Sequence, residues 1–159
     1  MAIEDTFNGA KNESSFFYAY FNAVAQEIGM ERALALNTKM AEVMGANMGK
    51  MIKEQAGVEE FDAKTAASLA RKFSEGIGGI TEVIEESPQK AVIKYGRCPG
   101  YEAAQEVGLD AKTIEAECRA GALRVLDTMV KQLNPDLNYK LTKFRSSADD
   151  FCEEEIVLG

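Results

Sequence analysis

Between Gly76 and Thr81 the spacing of the apolar residues changes period, and this change limits the possible folds more than any other feature of the chain. Before it, apolar residues recur every three or four positions, the mark of helices with one buried face. "SSFFYAYFNAVAQEIG" predicts a helix over about 14–28, opened by a serine cap, with Phe17, Phe21, Val24 and Ile28 inward and Gly29 closing it. A second helix is expected over about 30–56. Its Leu36, Met40, Val43, Met44, Met48 and Met51 share a face that reads as core, with an adaptable ligand pocket as the alternative. Gly45 and Gly49 cost this helix propensity and point to close packing or a kink. Asp62 caps a third helix that reaches about Glu75, with Ala66, Leu69, Ala70 and Phe73 on its buried face.

After the change, "GGITEVIEES" and "KAVIKYG" are short, β-branched and separated by Ser87-Pro88, which reads as a β-hairpin. "CPGYEAAQEVG" forms a short helix ended by Gly108. One long helix then runs from its cap at Asp110 to the stop at Asn134-Pro135. Strands over about 138–145 and 150–158 complete the chain. The order ααα-ββ-αα-ββ keeps helices apart from hairpins. It predicts an α+β fold, one domain over residues 1–159, with N-terminal helices and two further helices packed on a small antiparallel sheet of about four strands.

Lys plus Arg number 18 against 26 Asp plus Glu, a formal charge of −8, which speaks against nucleic acid and anionic lipid as partners. The stretch "MAIEDTFNGAKNESS" is polar and acidic, without the basic and apolar regions of a signal peptide, and no apolar run approaches a membrane span. A cytoplasmic setting is expected, and three cysteines, an odd number, fit a reducing compartment. Histidine is absent. That excludes a Ser-His-Asp triad, a Cys-His pair and imidazole-bound zinc, and leaves acid–base work to Glu, Asp, Lys, Tyr, Cys or water.

Attention therefore falls on the thiols. Cys98 precedes Pro99, which favours the first position of a helix, so Cys98 is the expected N-cap. Free N–H groups there, with Arg97 adjacent, are expected to lower its pKa and favour the thiolate. Cys118 shares a helical face with Ile114, Gly121, Val125 and Met129 and is expected to point inward. Cys152 alternates with Glu154, Ile156 and Leu158. Either that face is covered and Glu154 is a carboxyl with a raised pKa, or "EEE" is a solvated edge. Three readings stay open: a cysteine nucleophile with Glu154 as proton carrier; a metal site formed by Cys98, Cys118 and Cys152, with zinc or copper as the soft-ligand choice; or three unrelated core cysteines. No cofactor is required by the first. No C-x-x-C supports the second.

"RCPGYEAAQEVGL", "AECRAGALRVLDTMVKQLNP" and "SADDFCEEEIV" together resemble the family named for L-2-amino-thiazoline-4-carboxylic acid hydrolase. The shared marks are Cys98, Pro99 and Tyr101, then Cys118, then Asn134 and Pro135, then Asp149 and Cys152, with Ala148 where the family usually has glycine. The resemblance covers roughly the last 70 residues of the chain. It implies an architecture similar to vinyl-reductase-like and trafficking-subunit domains. It also implies carbon–nitrogen hydrolysis of a small cyclic amidine-like substrate, leading to N-carbamoyl-cysteine. In that case Cys98 is the nucleophile and Glu154 moves protons. Cys118, Cys152 and Tyr101 line the site. Arg124 is the first choice to hold the substrate carboxylate, with Arg119 and Arg145 as alternatives. The other expectation is a non-catalytic module that binds a small ligand or metal through its thiols. The methionine-bearing helix adds a possible homo-oligomer.

Overall fold

Phe7, well before the expected serine cap, anchors the first helix. In the computed structural model, which describes residues 3–57 and 60–159, helix α1 spans Ile3–Ile28. Phe7 is 1% exposed, the Arg97 guanidinium lies 3.8 Å from its ring centroid, and Arg97 also pairs with Glu4 at 2.9 Å. These tertiary contacts carry the helix eleven residues upstream of the predicted start. The Ser15 hydroxyl does not cap it; it donates back to the Lys11 carbonyl within the helix at 3.0 Å.

Helix α2, Met30–Ala56, has the expected bounds but turns the other way. Its buried face is the small-residue row Ala33, Asn37, Ala41, Gly45 and Gly49, one residue per turn. Leu36, Met40, Val43, Met44 and Met51 are exposed, Val43 to 62%, while Met48 is half-buried against the core. The expectation that this stripe is core is overturned. A small-residue face lets two helix backbones approach closely, and α2 lies directly against the later helix α6 (Ala122–Leu133). The expected close approach at the glycines is present, since a Cβ on Gly49 would sit 2.7 Å from the Met129 carbonyl. Part of "GVEE", Val58 and Glu59, lies outside the described residues, as do Met1 and Ala2.

Asp62 caps α3, Ala63–Gly76, by accepting from the Thr65 N–H at 2.8 Å. Asp62→Ala is expected to cost about 1 kcal/mol, read as a fall of roughly 2–4 °C in a thermal melt. The buried face of α3 is Ala63, Ala66, Ala67 and Ala70, which lets it lie close on the sheet. Phe73, predicted inward, is 38% exposed because the alanine row, a neighbouring stripe, is the one that meets the sheet.

The hairpin forms as predicted, β1 at Thr81–Glu86 and β2 at Lys90–Tyr95, followed by the short helix α4 at Pro99–Glu106. The predicted long helix is two: α5, Ala111–Ala120, and α6, broken at Gly121. A Cβ there would lie 2.7 Å from Glu117 Oε1 and 2.8 Å from Asn37 Nδ2. A buried hydrogen-bonded pair occupies the space where a side chain would go, and the helix path bends around it. Strands β3, Leu137–Lys143, and β4, Cys152–Leu158, complete an antiparallel sheet of order β1-β2-β4-β3. Helices α3 and α6 cover one face of that sheet. Their core contains Phe61, Ile93, Met129, Leu133, Leu137 and Ile156, each 2% exposed or less. The fold is α+β as expected, with α1 packed across α2 and α4 outside the core layer. Among the described residues, no helix is long and apolar enough to cross a membrane.

Candidate functional site

The antiparallel register sets Cys152, the first residue of β4, opposite Tyr95, the last of β2. Three residues beyond Tyr95 the chain reaches Cys98, so strand pairing alone draws these two thiols to one end of the sheet. Cys98 has extended backbone, φ −129° and ψ 117°, and stands at the N-cap of α4 with Pro99 at the first turn. Its sulfur packs with an apolar cluster of Tyr18, Tyr101, Ala103, Ala104 and Ile114.

That packing overturns the expected pKa. Burial pushes the Cys98 thiol above its ordinary value, while the Tyr101 N–H, the Arg145 charge and the Gly100 N–H oppose it without prevailing. The helix-terminus effect is present, but the loss of water around a would-be thiolate is larger. Cys98 is therefore a thiol at rest. Cys118, on α5, is pushed well above the ordinary value, by burial first and then by the charges of Cys98, Glu154, Glu117 and Cys152. It packs at the edge of the main core, whereas Cys98 packs with the α4 cluster. Cys98 and Cys152 are thus close enough to Cys118 for their charge to disfavour its thiolate. Yet among the described residues no group of three or more Cys, Asp or Glu side chains is placed to hold a metal ion, and the three-thiolate geometry is not met.

Glu154 belongs to β4, which lies between β2 and β3 and is no edge strand, so the solvated-edge reading does not apply. The residue is 6% exposed. Its carboxyl is pushed up to about 7, chiefly by burial, against the Tyr139 hydroxyl that donates to it and the Arg145 charge. A carboxyl with that value is half-ionised near neutral pH and suited to taking and returning a proton.

The arginine that reaches this region is Arg145, in the loop before β4, only 2% exposed. Its Nε donates to Cys152 Sγ at 3.3 Å, and its Nη2 donates to the Tyr95 carbonyl at 2.9 Å and to the Gly96 carbonyl. The guanidinium carbon stands 5.2 Å from the centroid of the Tyr101 ring, which Phe144 in turn meets edge-on. Among the described residues Nη1 is buried and without a partner. Arg124, the first choice from sequence, is engaged elsewhere. Its side chain is 42% exposed, contacts Glu42 at 3.7 Å and Asp127 at 3.8 Å, and lines a surface cavity of about 340 Å³ with Arg119, Tyr139 and Lys140. Arg119 pairs with Glu115 at 2.7 Å on the outside of α5.

A second buried polar group went unread in the sequence. Asn37 Nδ2 on α2 donates to Glu117 Oε1 on α5 at 2.9 Å, and Tyr18 hydrogen-bonds the same carboxyl, whose pKa burial raises. Periodicity contained the clue for Glu117: it lies three residues after Ile114 on the inward face. Tyr139 and Arg145 left weaker traces, since one is an ordinary strand residue and the other sits in an aperiodic loop.

Among curated proteins, none matches this chain. A similar solved structure is a trafficking protein particle complex subunit 3 from Naegleria fowleri, covalently bound to palmitic acid. It is 16% identical, with a TM-score of 0.57 over 94% of this chain and 96% of that one, a likeness of fold. The family model described as L-2-amino-thiazoline-4-carboxylic acid hydrolase matches residues 9–154, extending the resemblance from the C-terminal part into the helical half. With that coverage, the chain belongs to the L-2-amino-thiazoline-4-carboxylic acid hydrolase family.

Proposed function

We propose that this protein hydrolyses a small cyclic amidine-like substrate of the 2-aminothiazoline-4-carboxylate type, with Cys98 as the nucleophile. The observation that carries the reading is the placement of Cys98 at a helix N-terminus. The N–H groups of Gly100 and Tyr101 and the charge of Arg145 all favour negative charge there. Such donors stabilise charge that develops during reaction rather than charge present at rest. A half-buried neutral thiol with those neighbours is suited to form its thiolate when a base is at hand, and Glu154 is the candidate base. Tyr101, Cys118 and Cys152 form the walls.

In this reading Cys98 Sγ adds to the amidine carbon as its proton passes to Glu154. The adduct expels a leaving group that takes the proton back. Water then attacks the same carbon and frees Cys98, so one water is consumed in each cycle. Opening toward N-carbamoyl-cysteine breaks the ring carbon–sulfur bond, keeps both nitrogens and liberates a thiol, so that product does not arise by the carbon–nitrogen hydrolysis expected from the resemblance. Carbon–nitrogen hydrolysis at that carbon releases ammonia instead.

The test is incubation with L-2-aminothiazoline-4-carboxylate, following substrate and products by mass spectrometry, with separate assays for free thiol and ammonia. Acid-quenched intact mass detects the adduct. Wild-type protein is expected to consume substrate and to carry the adduct on the peptide containing Cys98. Cys98→Ser should lose roughly a thousandfold or more in turnover and the adduct with it. Wild-type protein that leaves the substrate unchanged, or Cys98→Ser at the wild-type rate, would sink the proposal.

A further inference from the structure

We infer that Arg145 is the specificity-determining residue of the thiol site: its unpartnered Nη1 receives the single carboxylate of a small ligand, placed beside Cys98 and Cys152. The inference deepens the proposed function, resting on its reading that the thiol region is the substrate site.

Four observations support it. Arg145 is 2% exposed, so its charge has been taken out of water. A buried guanidinium is costly unless its donors are satisfied. Here Nε is satisfied by the Cys152 sulfur and Nη2 by two carbonyls at the end of β2, while Nη1 is buried with no partner among the described residues. The fork is also held rigidly. Two backbone carbonyls and the face of Tyr101 orient it, so the free nitrogen points in a direction set by the protein rather than by the ligand. Finally, Arg145 is the positive charge that acts on both the Cys98 thiol and the Glu154 carboxyl. An anion on Nη1 would share that charge with both groups.

The chemistry also limits the charge of the ligand. Only one guanidinium nitrogen is free, and Glu154 and Glu117 are both buried in the vicinity of the thiols. A dianionic phosphate would add uncompensated negative charge there, whereas one carboxylate is balanced by one guanidinium. A neutral analogue leaves Nη1 unpaired in the filled site and forgoes a charge-assisted hydrogen bond.

The probe is a pair of alkylating agents that differ in charge, iodoacetate and iodoacetamide, applied to the full-length protein at pH 8. In each reaction the sulfur–carbon bond forms, iodide leaves and the thiol proton goes to solvent. Rates at Cys98 and Cys152 are read separately by peptide mass spectrometry and compared with free cysteine. Relative to free cysteine, the iodoacetate-to-iodoacetamide ratio is expected to rise about tenfold or more at one or both thiols, the scale of one charge-assisted contact. Arg145→Met should abolish that rise and Arg145→Lys should retain part of it. The wild-type ratio decides the matter even where Arg145→Met fails to fold. A ratio equal to that of free cysteine would overturn the inference, as would thiols that react with neither agent, since then no anion enters. Substrate turnover plays no part in this readout. A raised ratio without hydrolysis removes the proposed reaction and leaves the carboxylate site, and hydrolysis with an unraised ratio does the reverse.

Discussion

Gly45→Val is expected to lower the melting temperature by about 10 °C, corresponding to about 3 kcal/mol for overpacking a rigid contact in a chain of this size. At this position α2 touches the backbone of α6. A Cβ would overlap the Val125 carbonyl, stand 2.8 Å from Thr128 Cβ and lie 3.2 Å from the Met129 N–H. Two of these three neighbours are backbone atoms of a helix that also forms the core layer on the sheet. They cannot turn aside as a flexible side chain would, so the helices must separate. Met129, fully buried, moves with them. Gly9 offers the contrast. It too lies within a helix, but among the described residues nothing stands within 4 Å of a Cβ there. Gly9→Ala is expected to be neutral or to stabilise by about 0.5 kcal/mol, through lower chain entropy in the unfolded state. Thermal melts followed by circular dichroism separate the two. Equal melting of Gly45→Val and the parent would show that α2 and α6 are not in backbone contact.

The second large effect is a reversal of pH dependence at Glu154. Its folded-state pKa of about 7 lies above the ordinary value of 4.5, and the first cause is burial. Below 4.5 the carboxyl is protonated in folded and unfolded chains alike and contributes nothing. Between 4.5 and about 7 the unfolded chain has released its proton while the folded chain still holds it, so stability falls as pH rises. Above 7 the whole penalty, on the order of 3 kcal/mol, is present. Glu154→Gln removes the ionisation and keeps an acceptor for the Tyr139 hydroxyl. The variant should match wild type near pH 4 and melt up to about 10 °C higher at pH 8. Under the proposed mechanism it should also lose turnover, because glutamine cannot carry the proton. Glu117, raised in the same direction, is common to both proteins and cancels in the comparison. A stability difference that does not change between pH 4 and pH 8 would contradict the assignment of a raised pKa to Glu154.

Where an element is decided by its own residues, the sequence was sufficient to place it. Asp62 and Asp110 each accept from the N–H three residues on, Pro99 opens α4, Gly108 closes it with φ +83°, and Ser87-Pro88 turns the hairpin. Alternation in β4 put Cys152, Glu154 and Ile156 on one face, and all three are buried. Cysteine before Pro-Gly identified an N-cap by local chemistry alone. What failed were inferences about which side of an element meets which partner. Hydrophobicity assigned the methionine row of α2 to the core, but the contact with α6 selected the alanine and glycine row instead. Likewise, the helix terminus alone predicts a lowered pKa for Cys98, while burial against the apolar cluster raises it.

By itself, then, the sequence determined the element order, the caps and turns, the α+β class and which residues of β4 share a face, because period, capping chemistry and backbone-restricted residues act over a few positions. Only the tertiary structure decided that β4 is a central strand, that Arg145 rather than Arg124 reaches the thiols, and that Asn37 meets Glu117 beneath Gly121. The physical reason is separation along the chain. Asn37 and Glu117 are 80 residues apart and Arg145 lies 50 from Tyr95, and no local spacing encodes which distant surfaces exclude water from one another.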